Sequence, residues 1–287
     1  MDSTNIFAKM PPLRLFFYAS IPGAVSMLAS SLYQTIDGML VGQYLGETAF
    51  AAINLAMPFI IINFALADLV GVGSAVPISV CLGRGQHREA CGIFSCACLL
   101  IVAAAAAMGV VIYAAAPLLI ELMGAEGEFA ALAVMYLRTY ALCSPATSII
   151  FAVDNYLRIC GYIRGSMLIN ILMSVLCMAL EVLFLGVFKW GIWAAALASS
   201  AGMFICTLIA FIPFFRGKAL LRFTRPHITA GMLKQIVSCG SPTFLNNIAG
   251  RITSIVIYAI LVRLGGQEAG SVYRVLFYVV GFIQPPP

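Results

Sequence analysis

Apolar runs of about 20 residues or more recur along this 287-residue chain, and the short segments between them carry most of its charge. A helix needs roughly 20 apolar residues to cross a hydrocarbon layer about 30 Å thick. Inside lipid every backbone amide must find an internal partner, which leaves only helices or closed barrels. Barrel strands would alternate with period two over segments of roughly ten residues, and these runs do not. Composition agrees: 62% of residues are hydrophobic, 9% are charged, and mean hydropathy is +1.03, against about 45–50% apolar and 25% charged in soluble domains. The expected fold class is an all-α polytopic membrane protein.

Runs bounded by charge or glycine place spans at 15–41, 50–82, 91–120, 129–159, 167–188, 192–215 and 233–264, with an eighth starting near 269. Pro22, Pro77, Pro145 and Pro242 fall inside them, either as tolerated irregularities or as hinges. Basic residues gather in alternate loops: Lys9 and Arg14, Arg84 and Arg88, Arg158 and Arg164, then Arg216, Lys218, Arg222, Arg225 and Lys234. The other loops hold Glu47, Glu121, Glu126, Glu128 and Glu268, with Lys189 and Arg263 as their basic members. The positive-inside rule puts the first set and the amino terminus in the cytoplasm. The net charge of +5 therefore reports topology and implies no nucleic acid. The segment from Arg216 to Lys234 reads as a basic loop lying beside anionic lipid heads. No signal peptide is recognisable at the amino terminus. The nine cysteines show neither a disulfide framework nor zinc spacing, since Cys96 and Cys98 lack a second pair.

The chain resembles itself at a spacing of about 220 residues. Ile21-Pro22-Gly23 lies against Ser241-Pro242-Thr243, and Leu45-Gly46-Glu47-Thr48-Ala49 against Gly265-Gly266-Gln267-Glu268-Ala269. Six spans separate the copies, so they share one orientation, a parallel repeat of the kind found in two-lobed transporters. The expected organisation is a cytoplasmic amino terminus (1–14), a six-helix lobe (15–216), a basic inter-lobe loop (217–232) and an incomplete second lobe (233–287). The chain reads as a fragment truncated at its carboxyl end, and the closing Pro-Pro-Pro reads as an artefact.

Ionisable side chains within spans cost about 2.5–3.5 kcal/mol each on insertion scales, so each needs a reason. Asp37, Asp68, Asp154 and Glu181 are the acids concerned. Ser26, Ser30, Tyr33 and Asp37 recur at i, i+4, i+7, i+11, and Asn170, Ser174, Cys177 and Glu181 repeat that spacing on the fifth span. Each stripe occupies one helix face and ends in a carboxylate. Arg138, Arg251 and Arg274 are the bases placed to pair internally. Asp37 and Glu181 both count out to the outer half of the membrane, where they can meet as an ion or proton site. The plainer alternative is that each makes a structural hydrogen bond between helices. Asp154 counts to the inner half, and Asp68, beside Gly71-Val72-Gly73-Ser74-Ala75, is open to being held by close helix packing.

These residues carry a family likeness. Thr35-Ile36-Asp37-Gly38-Met39-Leu40-Val41-Gly42-Gln43-Tyr44-Leu45-Gly46 resembles the end of the first helix of the multidrug and toxic compound extrusion (MATE) transporters. Leu82-Gly83-Arg84-Gly85, Leu157-Arg158-Ile159-Cys160-Gly161 and Trp190-Gly191-Ile192-Trp193-Ala194-Ala195-Ala196-Leu197-Ala198 resemble its later motifs in order. The resemblance implies twelve helices in two lobes, and export of organic, often cationic compounds by alternating access in exchange for protons or sodium ions. It implies no cofactor beyond that coupling ion, and a monomer in the plasma membrane whose partners are the bilayer and a small organic substrate. It also implies a cation site at Asp37 and Glu181, with Asp154 as an additional carboxylate and sodium as the one metal to consider. The family's Asn-x-x-x-Asp pair falls on Cys177 and Glu181, so the amide is replaced by a thiol. Tyr33, Gln34, Asp68, Asn170 and Cys177 are the candidates for substrate contact or for supporting the acids. The alternative function is a flippase for lipid-linked saccharides, which would want basic cavity residues for a pyrophosphate. An enzyme is not expected: His87 and His227 both lie in loops, and no His-Glu-x-x-His or Gly-x-Ser-x-Gly string occurs.

Overall fold

In the computed structural model, residues 11–123, 127–217, 219–224 and 229–250, with 253 and 257, are described. The later part of the seventh span, the eighth span, Arg251, Arg274 and the second copy of the Leu-Gly repeat lie outside them.

The described residues form an all-α membrane protein. The first helix, α1, runs from Pro12 to Gly83 and opens with proline in its first turn, where a missing N–H costs nothing. Its 72 residues would reach about 108 Å if straight, more than three membrane thicknesses. Gly46 breaks it, with φ 84° and ψ 174°, a backbone region open to glycine and hostile to side chains. The chain folds back there. A Cβ on Gly38 would lie 3.4 Å from the Phe50 ring, although these residues would stand about 18 Å apart along one helix. The two arms, 12–45 and 47–83, are the first two spans.

The remaining spans follow in order: α2 (His87–Leu122), α3 (Gly127–Thr147) with α4 (Ile149–Ile159), α5 (Ile163–Glu181) continued by a π-helical stretch (Val182–Val187), and α6 (Ile192–Phe215). Residues 230–250 are helical as well (α7). The fourth expected span is thus two helices. Pro145 has no N–H to offer the Ala141 carbonyl, which instead accepts the Ser144 hydroxyl at 2.9 Å, and the helix breaks at Ser148. Pro117 likewise frees the Tyr113 carbonyl, which accepts Arg138 Nε at 3.4 Å, while the guanidinium lies 5.2 Å from the Tyr113 ring centroid.

Six spans bury their apolar faces in two layers. One contains Ile78, Phe94, Ile101, Val153, Tyr156 and Phe214; the other contains Ala52, Ile112, Ile120, Leu137, Leu185 and Ile192. Between the layers buried polar side chains occur on α1, α3 and α5 and at the α3–α4 break. Asn63, Ser144, Ser148 and Glu181 are all buried at 0% exposure, and in chain order they fall where one layer gives way to the other. Outward-facing Val110, Leu142 and Leu168 are 62–70% exposed, as a lipid-facing surface requires. Helix α7 crosses α1 at backbone contact: a Cβ on Gly73 would sit 2.2 Å from the Ile236 carbonyl, and one on Gly240 2.0 Å from that of Leu69.

Candidate cation site

The polar stripe on α5 meets α1 and α6 at Glu181. Small residues on α6 allow it: Ala194, Ala195 and Ala198 are buried, and a Cβ on Gly202 would lie 2.5 Å from Cys177 Sγ and 3.2 Å from its Cα. Helices this close bring Ser199 within reach of α5. Ser199 Oγ donates to Glu181 Oε1 at 2.9 Å, and Tyr33 from α1 donates to the same oxygen at 3.3 Å. The two hydroxyls are 3.1 Å apart. Cys177 points its thiol at the Ser199 carbonyl, 3.6 Å away.

Asp37 stands one turn beyond Tyr33 on the same arm and is a direct electrostatic neighbour of Glu181. The other carboxyl oxygen, Glu181 Oε2, is buried and finds no hydroxyl or N–H donor among the described residues; the carboxyl group's remaining partner is the Asp37 carboxyl, within hydrogen-bonding reach. A buried carboxyl oxygen without a donor is costly, more so beside a second acid. Two ionised carboxylates in such contact would repel each other. Among the described residues no base forms an ion pair with either acid, and Arg138 is engaged with Tyr113. Two acids in hydrogen-bond contact can be joined by a shared proton, so the pair suits a small positive charge.

Helix geometry marks the same place. The α-helical turns of α5 end at Glu181 and the wider π turns begin at Val182, a distortion often found at functional positions. Gly186 in that stretch takes the Tyr44 ring, whose atoms would be 3.1–3.3 Å from a Cβ there. Beyond it Phe188, Trp190 and Trp193 stack with centroids 5.1 and 5.4 Å apart, the sort of aromatic group that settles at a membrane surface.

Other expected site residues lie elsewhere. Asp154 forms an ion pair with Arg158 at 2.7 Å, accepts Asn170 Nδ2 at 2.9 Å and takes a short hydrogen bond from Ser166. Arg158, read from sequence as a loop residue, occupies the last turn of α4 and supplies an internal base that the Arg138, Arg251, Arg274 set omits. Asn170 thus belongs to the Asp154 cluster, two turns below Cys177. Ser26 bonds the Pro22 carbonyl of its own helix at 2.9 Å. Gln34 is exposed and Asp68 is half-buried; neither joins either cluster among the described residues.

Sequence reasoning passed over Ser199, Tyr136 and Asn63. Tyr136 is buried and is an electrostatic neighbour of both Asp37 and Glu181. Asn63 donates to Tyr140 Oη at 3.0 Å and Ser148 Oγ at 3.3 Å, with its own carbonyl oxygen unpartnered. An amide inside the apolar run Ile60-Ile61-Ile62-Asn63-Phe64-Ala65-Leu66 was a usable signal; a serine in an alanine-rich helix was a weak one.

The MatE family profile matches residues 22–183, more than half of the chain. The chain belongs to the MatE family. The multidrug export protein MepA of Staphylococcus aureus (strain MRSA252) is 27% identical over 285 residues, covering 96% of this chain and 61% of MepA. A crystal structure of MATE in complex with MaL6 superposes with a TM-score of 0.92 at 22% identity, over 98% of this chain and 63% of that one. A MOP superfamily transporter from Pyrococcus furiosus, described as having a binding pocket of reversed polarity that suggests a different function, gives 0.88 at 23% identity, again over 98% and 63%. The chain therefore spans about three-fifths of the length of these relatives. Family membership makes it a multi-pass protein of a transporter family without enzymatic chemistry or cofactor.

Proposed function

We propose that this chain forms the coupling lobe of a secondary antiporter that exports organic, often cationic compounds by alternating access, with the proton as its coupling ion. The observation that carries the reading is the buried Glu181 carboxyl, with one oxygen held by Tyr33 and Ser199 and the group in side-chain contact with the Asp37 carboxyl. A cation arriving there removes the repulsion between two acids, so its binding stabilises whichever conformation brings α1 and α5 together. Release to the other side restores the alternative state. Protons suit this donor set better than sodium: a hard cation wants a shell of oxygens, and Cys177 offers sulfur where the family pattern has an amide. Asp154, neutralised by Arg158, takes no direct part and anchors the α4–α5 junction instead.

The same reading places residues 15–216 in the first lobe, 217–232 in a cytoplasmic linker and 233–287 in the second lobe. The amino terminus is then cytoplasmic and the protein a monomer of the plasma membrane. Organic cations would dock between lobes against aromatic and methionine side chains, attracted by the acids. The test is efflux of a cationic dye from cells expressing the gene. Glu181→Gln and Asp37→Asn are expected to reduce export to background, with membrane levels of the protein unchanged. Wild-type export rates in both variants would remove the carboxyl pair from the mechanism.

A further inference from the structure

At the basic end of the helices, the segment after α6 lies along the first turns of α2 and borders an open cavity of about 460 Å³ lined by His87, Arg88, Cys91, Gly217, Arg222 and Thr224 among others. That volume is in the range of small-ligand sites. The segment is pinned. Arg222 N donates to Cys91 Sγ at 3.3 Å and Thr224 N to Ser95 Oγ at 2.9 Å. The Arg222 side chain lies across Gly217, its Cζ 3.6 Å from where a Cβ would be, and gives one N–H to the Gly217 carbonyl at 3.1 Å. Its other donors are unused among the described residues.

Neither Arg88 nor Arg222 pairs with a carboxylate among the described residues; Glu89 shares the first turn of α2 but does not line the cavity. Gln86 provides no side-chain cap for α2, so the helix adds its own partial positive charge to the two guanidiniums and the imidazole. The cavity thus gathers donors and positive charge with no carboxylate among its described lining residues. Next to it the surface turns apolar. Phe223, 41% exposed, stacks on Phe215, the last residue of α6 and 73% exposed, with centroids 5.1 Å apart.

We infer that this cavity binds the phosphate of an anionic phospholipid, with Arg88 and Arg222 on the phosphate oxygens and Phe215 and Phe223 against the upper acyl chain. A guanidinium fork matches phosphate geometry, and a charged pocket bordered by exposed aromatic rings matches an amphiphile rather than a free anion. The site is remote from the acids and does not depend on how transport is coupled.

The purified chain is titrated with phosphatidylglycerol or phosphatidylcholine in detergent, and bound lipid is read by native mass spectrometry. Phosphatidylglycerol is expected to bind preferentially, and the Arg88→Gln/Arg222→Gln pair to weaken it by about tenfold or more, at roughly fivefold per basic residue. Arg164→Gln/Lys234→Gln removes the same net charge elsewhere on that face and should change binding by less than about twofold. Arg88→Lys/Arg222→Lys keeps the charge and should recover most of the binding, which separates loss of the site from loss of the fold. Equal weakening by the two glutamine pairs, or no preference between the lipids, would overturn the inference. Glycerol 3-phosphate competing as well as phosphatidylglycerol would overturn the lipid assignment.

Discussion

Replacing Gly202 with alanine should separate α5 from α6 and damage the cation site without touching any of its polar atoms. The new methyl would stand 2.5 Å from Cys177 Sγ and 3.2 Å from both the Cα and the backbone N of Cys177. Comfortable contacts between such atoms begin near 3.5 Å. The thiol can rotate away, but the backbone atoms cannot, so α5 must retreat by a few tenths of an ångström. Overpacking of this kind costs about 1–3 kcal/mol. Gly92→Ala, in α2, has nothing within 4 Å of its new Cβ and should gain up to about 1 kcal/mol from helix propensity alone. Thermal unfolding in detergent should therefore shift down for Gly202→Ala and up for Gly92→Ala. Adding Cys177→Ala to Gly202→Ala removes the sulfur contact and should restore part of the loss. The Ser199–Glu181 bond of 2.9 Å lengthens with the retreat, so dye export should fall in Gly202→Ala and not in Gly92→Ala. If the two substitutions shift the melting temperature in the same direction, the close approach of α5 and α6 is not what holds the site.

Tyr33→Phe removes the donor to Glu181 and should slow export several-fold while lowering stability by about 1–2 kcal/mol, as read by dye efflux and melting temperature; unchanged export would exclude the tyrosine. Asp154→Asn should leave coupling intact and reduce stability modestly. In a cycle with Arg158→Gln the interaction should be about 1 kcal/mol, because Arg158 is 39% exposed and solvent screens the pair. A coupling-dead but stable Asp154→Asn would move that acid into the mechanism. In the core, Ser74→Ala and Tyr156→Phe break the same 2.6 Å hydrogen bond. Their stability losses, about 1 kcal/mol each, should therefore fail to add in the double variant.

The span order and the break near Gly46 were legible in the sequence because lipid imposes length and periodicity on every helix, whereas the two polar stripes divide: Tyr33 meets Glu181, Ser26 bonds its own helix and Asn170 joins Asp154. Asp37 and Glu181 stood out for the same reason: a carboxyl in an apolar run is expensive. What lay beyond reach was partner choice. Which residue of α6 faces Glu181 depends on helix rotation and crossing depth, set here by Gly202 and its alanine neighbours, so Ser199 could not be told from Ser200. Depth also hid the Asp154–Arg158 pair. A basic residue near a helix end reads as a loop charge until the helix is seen to include it, and the i, i+4 spacing then makes the pairing plain. The break at Ser148 was foreshadowed only by Pro145, one of several prolines, most of which leave their helices continuous.

The decisive measurement is substrate-evoked proton movement in proteoliposomes containing the protein, followed with a trapped pH indicator at fixed sodium concentration. Adding a transported organic cation should release protons from the wild-type protein. Glu181→Gln, which keeps an acceptor for Tyr33 and Ser199 but cannot ionise, should release none. Proton release that persists in Glu181→Gln, or exchange driven by a sodium gradient alone, would contradict a proton site at this carboxyl pair.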